Sequence, residues 1–182
     1  GTACAGGTAR PRNCSAGTVQ PLPGQSMCDD CSAGKHQPER GQTECVDCVR
    51  GSFCAAGASV ALPCPSGRYQ NGTAATDKDD CLGCLPGHAC STGVVAPTVC
   101  RPGSFTSSGF MAACESCEAG RFQDEEGATA CKACTVHNWC AAGSSAATPC
   151  GEGKVGNAAG LRSAGECSVC AMGTWCSAGV AI

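Results

Sequence analysis

Cysteine recurs on an 86-residue register along this chain, and that spacing limits what the chain can fold into more than any other feature. Cys4, Cys14, Cys28, Cys31, Cys45, Cys48, Cys54, Cys64, Cys81 and Cys84 return 86 positions later. The second set is Cys90, Cys100, Cys114, Cys117, Cys131, Cys134, Cys140, Cys150, Cys167 and Cys170, and Cys176 opens a third. No insertion or deletion breaks the register, which marks a tandem array. One period divides into a module of 50 residues and one of 36, the first carrying an additional C-x13-C loop. The copies span residues 4–89 (modules 4–53 and 54–89) and 90–175 (modules 90–139 and 140–175). Residues 176–182 begin a third copy, so the sequence reads as a stretch of a longer array.

Composition says what must hold such an array together. The 182 residues include 21 cysteines and 26 glycines but only seven aromatic side chains. That cysteine content marks a disulfide scaffold. Apolar burial returns about 25 cal/mol per Å², too little here to offset the backbone entropy of ordering. Closing a loop of about 15 residues with a disulfide is worth roughly 3 kcal/mol, so several per copy supply what packing cannot. Persistent disulfides imply an oxidising compartment, hence an extracellular or cell-surface protein. A net charge of −3 with few charged residues argues against a nucleic-acid partner. No apolar run is long enough to span a membrane.

Within each long loop a glycine is followed by any residue, then an aromatic or valine, often glutamine, then a polar turn. Gly34-Lys35-His36-Gln37, Gly67-Arg68-Tyr69-Gln70 and Gly120-Arg121-Phe122-Gln123 show the pattern. It predicts a very short strand, a turn at Gly24, Gly41, Gly72 or Gly127, and a return strand ending in cysteine. One large side chain per loop would lie against the disulfide. No helical periodicity persists.

Pairing neighbours accounts for the odd cysteine count. That scheme is Cys14–Cys28, Cys31–Cys45, Cys48–Cys54, Cys64–Cys81, Cys84–Cys90, Cys100–Cys114, Cys117–Cys131, Cys134–Cys140, Cys150–Cys167 and Cys170–Cys176, leaving Cys4 alone. The rival scheme uses Cys54–Cys64 and Cys90–Cys100 and forces Cys81 onto Cys84, a strained link within C-x2-C. A four-cysteine zinc site at Cys28, Cys31, Cys45 and Cys48 has suitable spacing but leaves the co-recurring Cys4, Cys14, Cys54 and Cys64 without a role. Neither a metal nor any other cofactor is expected.

The run from Cys31-Ser-Ala-Gly-Lys-His-Gln to Cys45-Val-Asp-Cys48-Val-Arg-Gly resembles the ephrin-receptor-like cysteine-rich repeat. It is more distantly similar to tumour necrosis factor receptor modules, and Cys64-Pro-Ser-Gly-Arg-Tyr-Gln fits the same pattern. Such repeats occur in receptors, in protist surface antigens and in the hairs (mastigonemes) of algal flagella. Uninterrupted tandem copies look most like the last class.

Candidate chemistry is sparse. His36, His88 and His137 do not recur at the period. The acidic clusters Asp77-Lys78-Asp79-Asp80 and Asp124-Glu125-Glu126 lack the alternating ligands and closing glutamate of a calcium loop. No nucleophile–base set repeats, so an enzyme is not expected. Asn13-Cys14-Ser15 and Asn71-Gly72-Thr73 are glycosylation sequons, Asn71 the better placed on a turn. The nine-residue segments 55–63, 91–99 and 141–149, with relatives at 5–13 and 177–182, fall outside every disulfide loop of the sequential scheme. They read either as extended linkers or as contact strips between neighbouring copies, through Val60, Leu62, Val94, Val95 and Val180.

The expected fold is a small, disulfide-rich array of short β-hairpins, an elongated tandem-repeat rod without a continuous hydrophobic core. The expected role is a glycosylated structural segment of an extracellular filament or surface appendage whose partner is itself. The alternatives are a ligand-binding receptor ectodomain and a protist surface antigen.

Overall fold

A computed structural model describes residues 1–4 and 10–181, the side chain of Ala181 excepted. Residues 5–9, within the first nine-residue segment, and Ile182 lie outside the described residues. The chain forms two compact units, Gly1–Cys84 with Cys90–Pro97, and Leu85–Ala89 with Thr98–Ile182.

In the first unit β1 (Thr2–Ala3) pairs with β2 (Arg12–Asn13), β3 (Thr18–Val19) with β4 (Asp29–Asp30), and β5 (Lys35–His36) with β6 (Val46–Asp47). There β7 (Ser52–Phe53) also pairs with β8 (Leu62–Pro63), and β9 (Arg68–Tyr69) with β10 (Leu82–Gly83). In the second unit β11 (His88–Ala89) pairs with β12 (Thr98–Val99), β13 (Ser104–Phe105) with β14 (Glu115–Ser116), and β15 (Arg121–Phe122) with β16 (Lys132–Ala133). It ends with β17 (Asn138–Trp139) on β18 (Thr148–Pro149), β19 (Lys154–Val155) on β20 (Ser168–Val169), and β21 (Cys176–Ser177) on β22 (Val180–Ala181). All eleven sheets among the described residues are two-stranded and antiparallel. The chain is thus a disulfide-rich tandem of β-hairpins.

Two details differ from the sequence expectation. The return strands do not end in cysteine; in the long-loop hairpins they are the two residues between the cysteines of C-x2-C, such as Asp29–Asp30 after Cys28. The cysteine just before the return strand is taken by its bridge, and the next two residues pair. The segments 55–63, 91–99 and 141–149 are not extended linkers either. They contain the hairpin connection and return strand of β7–β8, β11–β12 and β17–β18, and each of those hairpins has its disulfide across the first strand.

Isolated two-stranded ribbons are marginal in water, so each must be held by something besides its own ladder. One support is sulfur: of the nineteen buried apolar residues among the described residues, fifteen are cysteines. The expected single large side chain per loop is only half-buried at His36, Phe53, Tyr69, Phe105, Phe122 and Trp139, whereas Val19 is buried.

The other support is backbone bonding from one hairpin to the next. In the first unit the N–H groups of Gly17, Gly34, Gly51 and Gly67 donate to the carbonyls of Gln37, Cys54, Gln70 and Cys90 at 2.7–2.8 Å. Gln37 and Cys54 donate to Ala58 and Ala75 at 3.1 and 2.9 Å, and Gly41, Gly57 and Ala74 donate back to Cys14, Cys31 and Cys48. The second unit repeats the set. Gly103 and Gly120 donate to Gln123 and Cys140, Gln123 and Cys140 to Ser144 and Leu161, and Gly127, Gly143 and Gly160 back to Cys100, Cys117 and Cys134. Three backbone bonds therefore recur at each of these hairpin steps, satisfying groups that a lone ribbon would leave to solvent.

Candidate functional site

The ten disulfides are Cys14–Cys28, Cys31–Cys45, Cys48–Cys54, Cys64–Cys81, Cys84–Cys90, Cys100–Cys114, Cys117–Cys131, Cys134–Cys140, Cys150–Cys167 and Cys170–Cys176. Their Cα–Cα separations run from 5.6 to 6.1 Å, the ordinary span of the bond. Cys4 is unbridged and half-buried. No thiolate pair is left to act as a metal ligand set, and among the described residues no group of three His, Cys, Asp or Glu side chains could hold a metal ion.

The glutamine that follows the strand aromatic has a role that spacing alone did not reveal. Gln37 Nε2 donates to Glu44 O at 2.7 Å across the loop, while its Oε1 accepts the Glu39 N–H at 3.0 Å. Gln123 makes the same two bonds to Ala130 O and Glu125 N, at 2.7 and 3.0 Å. Gln20 bonds Met27 O and Leu22 N, and Gln70 bonds Asp80 O and Gly72 N. Each amide clasps the two arms of a long loop. Gln20, Gln37 and Gln123 are buried, as burial of an amide bonded at both its nitrogen and its oxygen allows. In the second copy Thr106 stands where Gln20 stood; it is fully buried and its Oγ1 donates to His88 O at 3.2 Å.

The acidic run at 77–80 is a cap rather than a ligand set. A short 3-10 turn, Lys78–Asp80, carries a capping box in which Asp77 accepts the Asp79 N–H at 2.9 Å. Asp80 Oδ2 accepts the Thr76 hydroxyl at 2.7 Å, the Thr76 N–H at 2.8 Å and the Asp77 N–H at 3.2 Å. The Thr76 hydroxyl, then the two backbone N–H groups, hold the Asp80 carboxyl below its ordinary pKa. Glu166 does the equivalent work one period later, accepting the Arg162 N–H at 2.8 Å beside the turn Ala164–Glu166. In the other cluster Asp124 and Glu125 meet Lys132 Nζ at 2.6 and 3.2 Å. That hydrogen bond lowers the Asp124 pKa, and Asp124 followed by Glu125 raises the Lys132 pKa.

The histidines are dispersed. His36 sits in β5 with Nδ1 buried and unbonded, His88 Nδ1 lies 3.2 Å from Pro86 O, and His137 Nδ1 lies 2.8 Å from Gly179 O. Concavities are open: one of about 450 Å³ is lined by residues including Glu152, Thr174 and Trp175, and one of about 280 Å³ by Phe105, Glu115, Glu118 and Arg121.

The residues expected to make contacts are mostly exposed, with Val60, Leu62, Val95 and Val180 between 42% and 55% accessible, while Val94 is half-buried. They do not form one repeated set. Val94 has Val180 as its counterpart, but Leu62 is matched by Thr148 and Val60 by Ala146. Both sequon asparagines are exposed, Asn13 within β2 and Asn71 in the loop after β9. No helix among the described residues is long and apolar enough to cross a membrane. So dense a disulfide set fits an extracellular or secreted protein.

No protein-family model matches this chain, and no curated protein matches it either.

Proposed function

We propose that this chain is a structural segment of an extracellular filament or surface appendage, with a mechanical role and no catalytic one. One observation carries the reading: hairpin after hairpin is bonded to the next by backbone groups and closed by its own disulfide. Such a scaffold resists unfolding and proteolysis through covalent loops and local interlocks, without a large core. The likeness of the cysteine spacing to ephrin-receptor-like repeats, and to the tandem copies of flagellar hairs, supports the same role. Self-assembly would run through apolar positions of these segments, of which the half-buried Val94 and the exposed Val180 recur at the period.

A ligand-binding ectodomain is favoured by a different observation. Leu62 is exposed in the first copy and Phe110 in the second, yet their counterparts are Thr148 and Gly24. Surface that differs between copies suits a specific partner better than a polymer.

Electron microscopy of the native protein separates the two. Fibres or lateral bundles, diminished by combined Leu62→Asp and Val95→Asp, are the expected result. Single particles at every concentration overturn the filament.

A further inference from the structure

We infer that Asn71, and not Asn13, is the residue of this chain that carries an N-linked glycan. The inference rests on the extracellular reading above and adds a modification site to it.

The loop between β9 and β10 is held at both ends. Gln70 N donates to Val94 O at 3.2 Å, and its side chain bonds Asp80 O at 3.0 Å. Beyond the sequon Ala74 N donates to Cys48 O at 2.9 Å, Cys54 N donates to Ala75 O at 2.9 Å, and Ala75 is buried. Between those clamps Asn71 and Thr73 are both exposed, and Gly72 between them is half-buried. Gly72 adds no side chain, and its N–H is taken by Gln70 Oε1 at 3.1 Å, so the arch is presented outward without using the Asn71 amide. Asn-x-Thr on an exposed loop is the form an oligosaccharide transferase accepts.

Asn13 offers the opposite situation although it too is exposed. It lies in β2, where its backbone pairs with Thr2, and its Cγ is 3.3 Å from where a Cβ on Gly41 would sit. The middle residue of its sequon is Cys14, only 1% accessible and bridged to Cys28. Closing that bridge and pairing that strand compete with glycan transfer at Asn13, because both hold the sequon's backbone in the ladder. In the second copy neither position is a sequon: Val99 replaces Asn13, and Asn157 is followed by Ala158 and Ala159.

The transfer involves no redox change. Asn71 Nδ2 loses one proton and bonds the anomeric carbon of an oligosaccharide. The bond that breaks joins that carbon to a polyprenyl pyrophosphate, which departs with the electron pair.

The test is secretion of the full chain from a eukaryotic host, followed by peptide N-glycosidase in heavy-oxygen water and peptide mapping. The isotope mark should appear at position 71, persist in Asn13→Gln and vanish in both Asn71→Gln and Thr73→Ala. A mark at position 13 instead, or no mark at either site on disulfide-bonded secreted protein, overturns the inference. Retention inside the cell with reduced thiols would instead contradict the extracellular reading, so the two failures are distinguishable.

Discussion

At Gly87 the backbone φ is +78°, and a methyl group there would lie 2.1 Å from Gly127 O. The glycine is demanded twice, once by conformation and once by the close approach of another hairpin's carbonyl. Gly153 has a similar φ of +72° but nothing within 4 Å of a built Cβ. Gly153→Ala should therefore cost only the left-handed conformation, about 1–2 kcal/mol. Gly87→Ala should cost clearly more, or displace the neighbouring hairpin. Denaturant titration of the two variants compares them, and equal losses would remove the close-approach argument. The reverse change is informative at Phe110, which holds φ +61° where the first copy has Gly24. Relief of strain there is offset by the added freedom of the unfolded chain, so Phe110→Gly should be neutral or stabilising by up to about 1 kcal/mol. The buried glutamine clasp gives a third residue-level prediction. Gln37→Leu strips Glu44 O and Glu39 N of their partners and should cost about 1–3 kcal/mol, read by the same titration.

At the scale of the element, each hairpin is a two-residue ladder whose closure is chemical. Replacing Cys31 and Cys45 together by serine opens a 14-residue separation and should cost roughly 3 kcal/mol, with new protease cleavage confined to that hairpin. The loop after β9 adds a pH response. Asp80 has a folded pKa below its ordinary 3.8, so its contribution is present above that value and is lost as pH falls below 3.8 through the folded value. Amide protection of Thr76 and Asp77 should fall over that window and become independent of pH there in Asp80→Asn. Sequence periodicity reached the hairpins because cysteine and glycine spacing encodes loop length directly. It put turns at Gly24, Gly41 and Gly127, all of which have positive φ. In the loop after β9 the chain bends at Gly72, but the positive φ falls on Ala74 (+60°), whose N–H donates to Cys48 O. Of the two readings of the nine-residue segments, extended linker or contact strip, the linker fails because these segments hold return strands. Their strand partners lie inside a short disulfide loop, Ser52–Phe53 within Cys48–Cys54, while the return strand Leu62–Pro63 lies outside it, so the bridge does not outline the hairpin. The glutamine clasp was visible as a recurrent letter, but its partners are backbone atoms that carry no sequence signature.

At the scale of the whole molecule, stability resides in hairpin steps instead of a shared core. Within each unit the bonds that count join backbone to backbone, and they tolerate Gln, Thr, Cys or Gly at the acceptor position, as at Gln37, Thr106, Cys140 and Gly156. That tolerance explains why side chains vary between copies while cysteine and most glycine positions return. It also makes the array nearly additive, so damage to one hairpin should leave distant ones folded. The same property leaves the outer surface free to diverge, as Leu62 and Thr148 show, and assembly or ligand contacts are properties of that surface. The most direct measurement of the interlock is hydrogen exchange, at single-residue resolution, on the oxidised chain. The amides of Gly34, Gly51, Gly103 and Gly120 should exchange far more slowly than those of Asn71 and Thr73, and should lose protection when the hairpin they bond to is opened. Exchange of those glycine amides at the rate of the exposed arch would contradict the account.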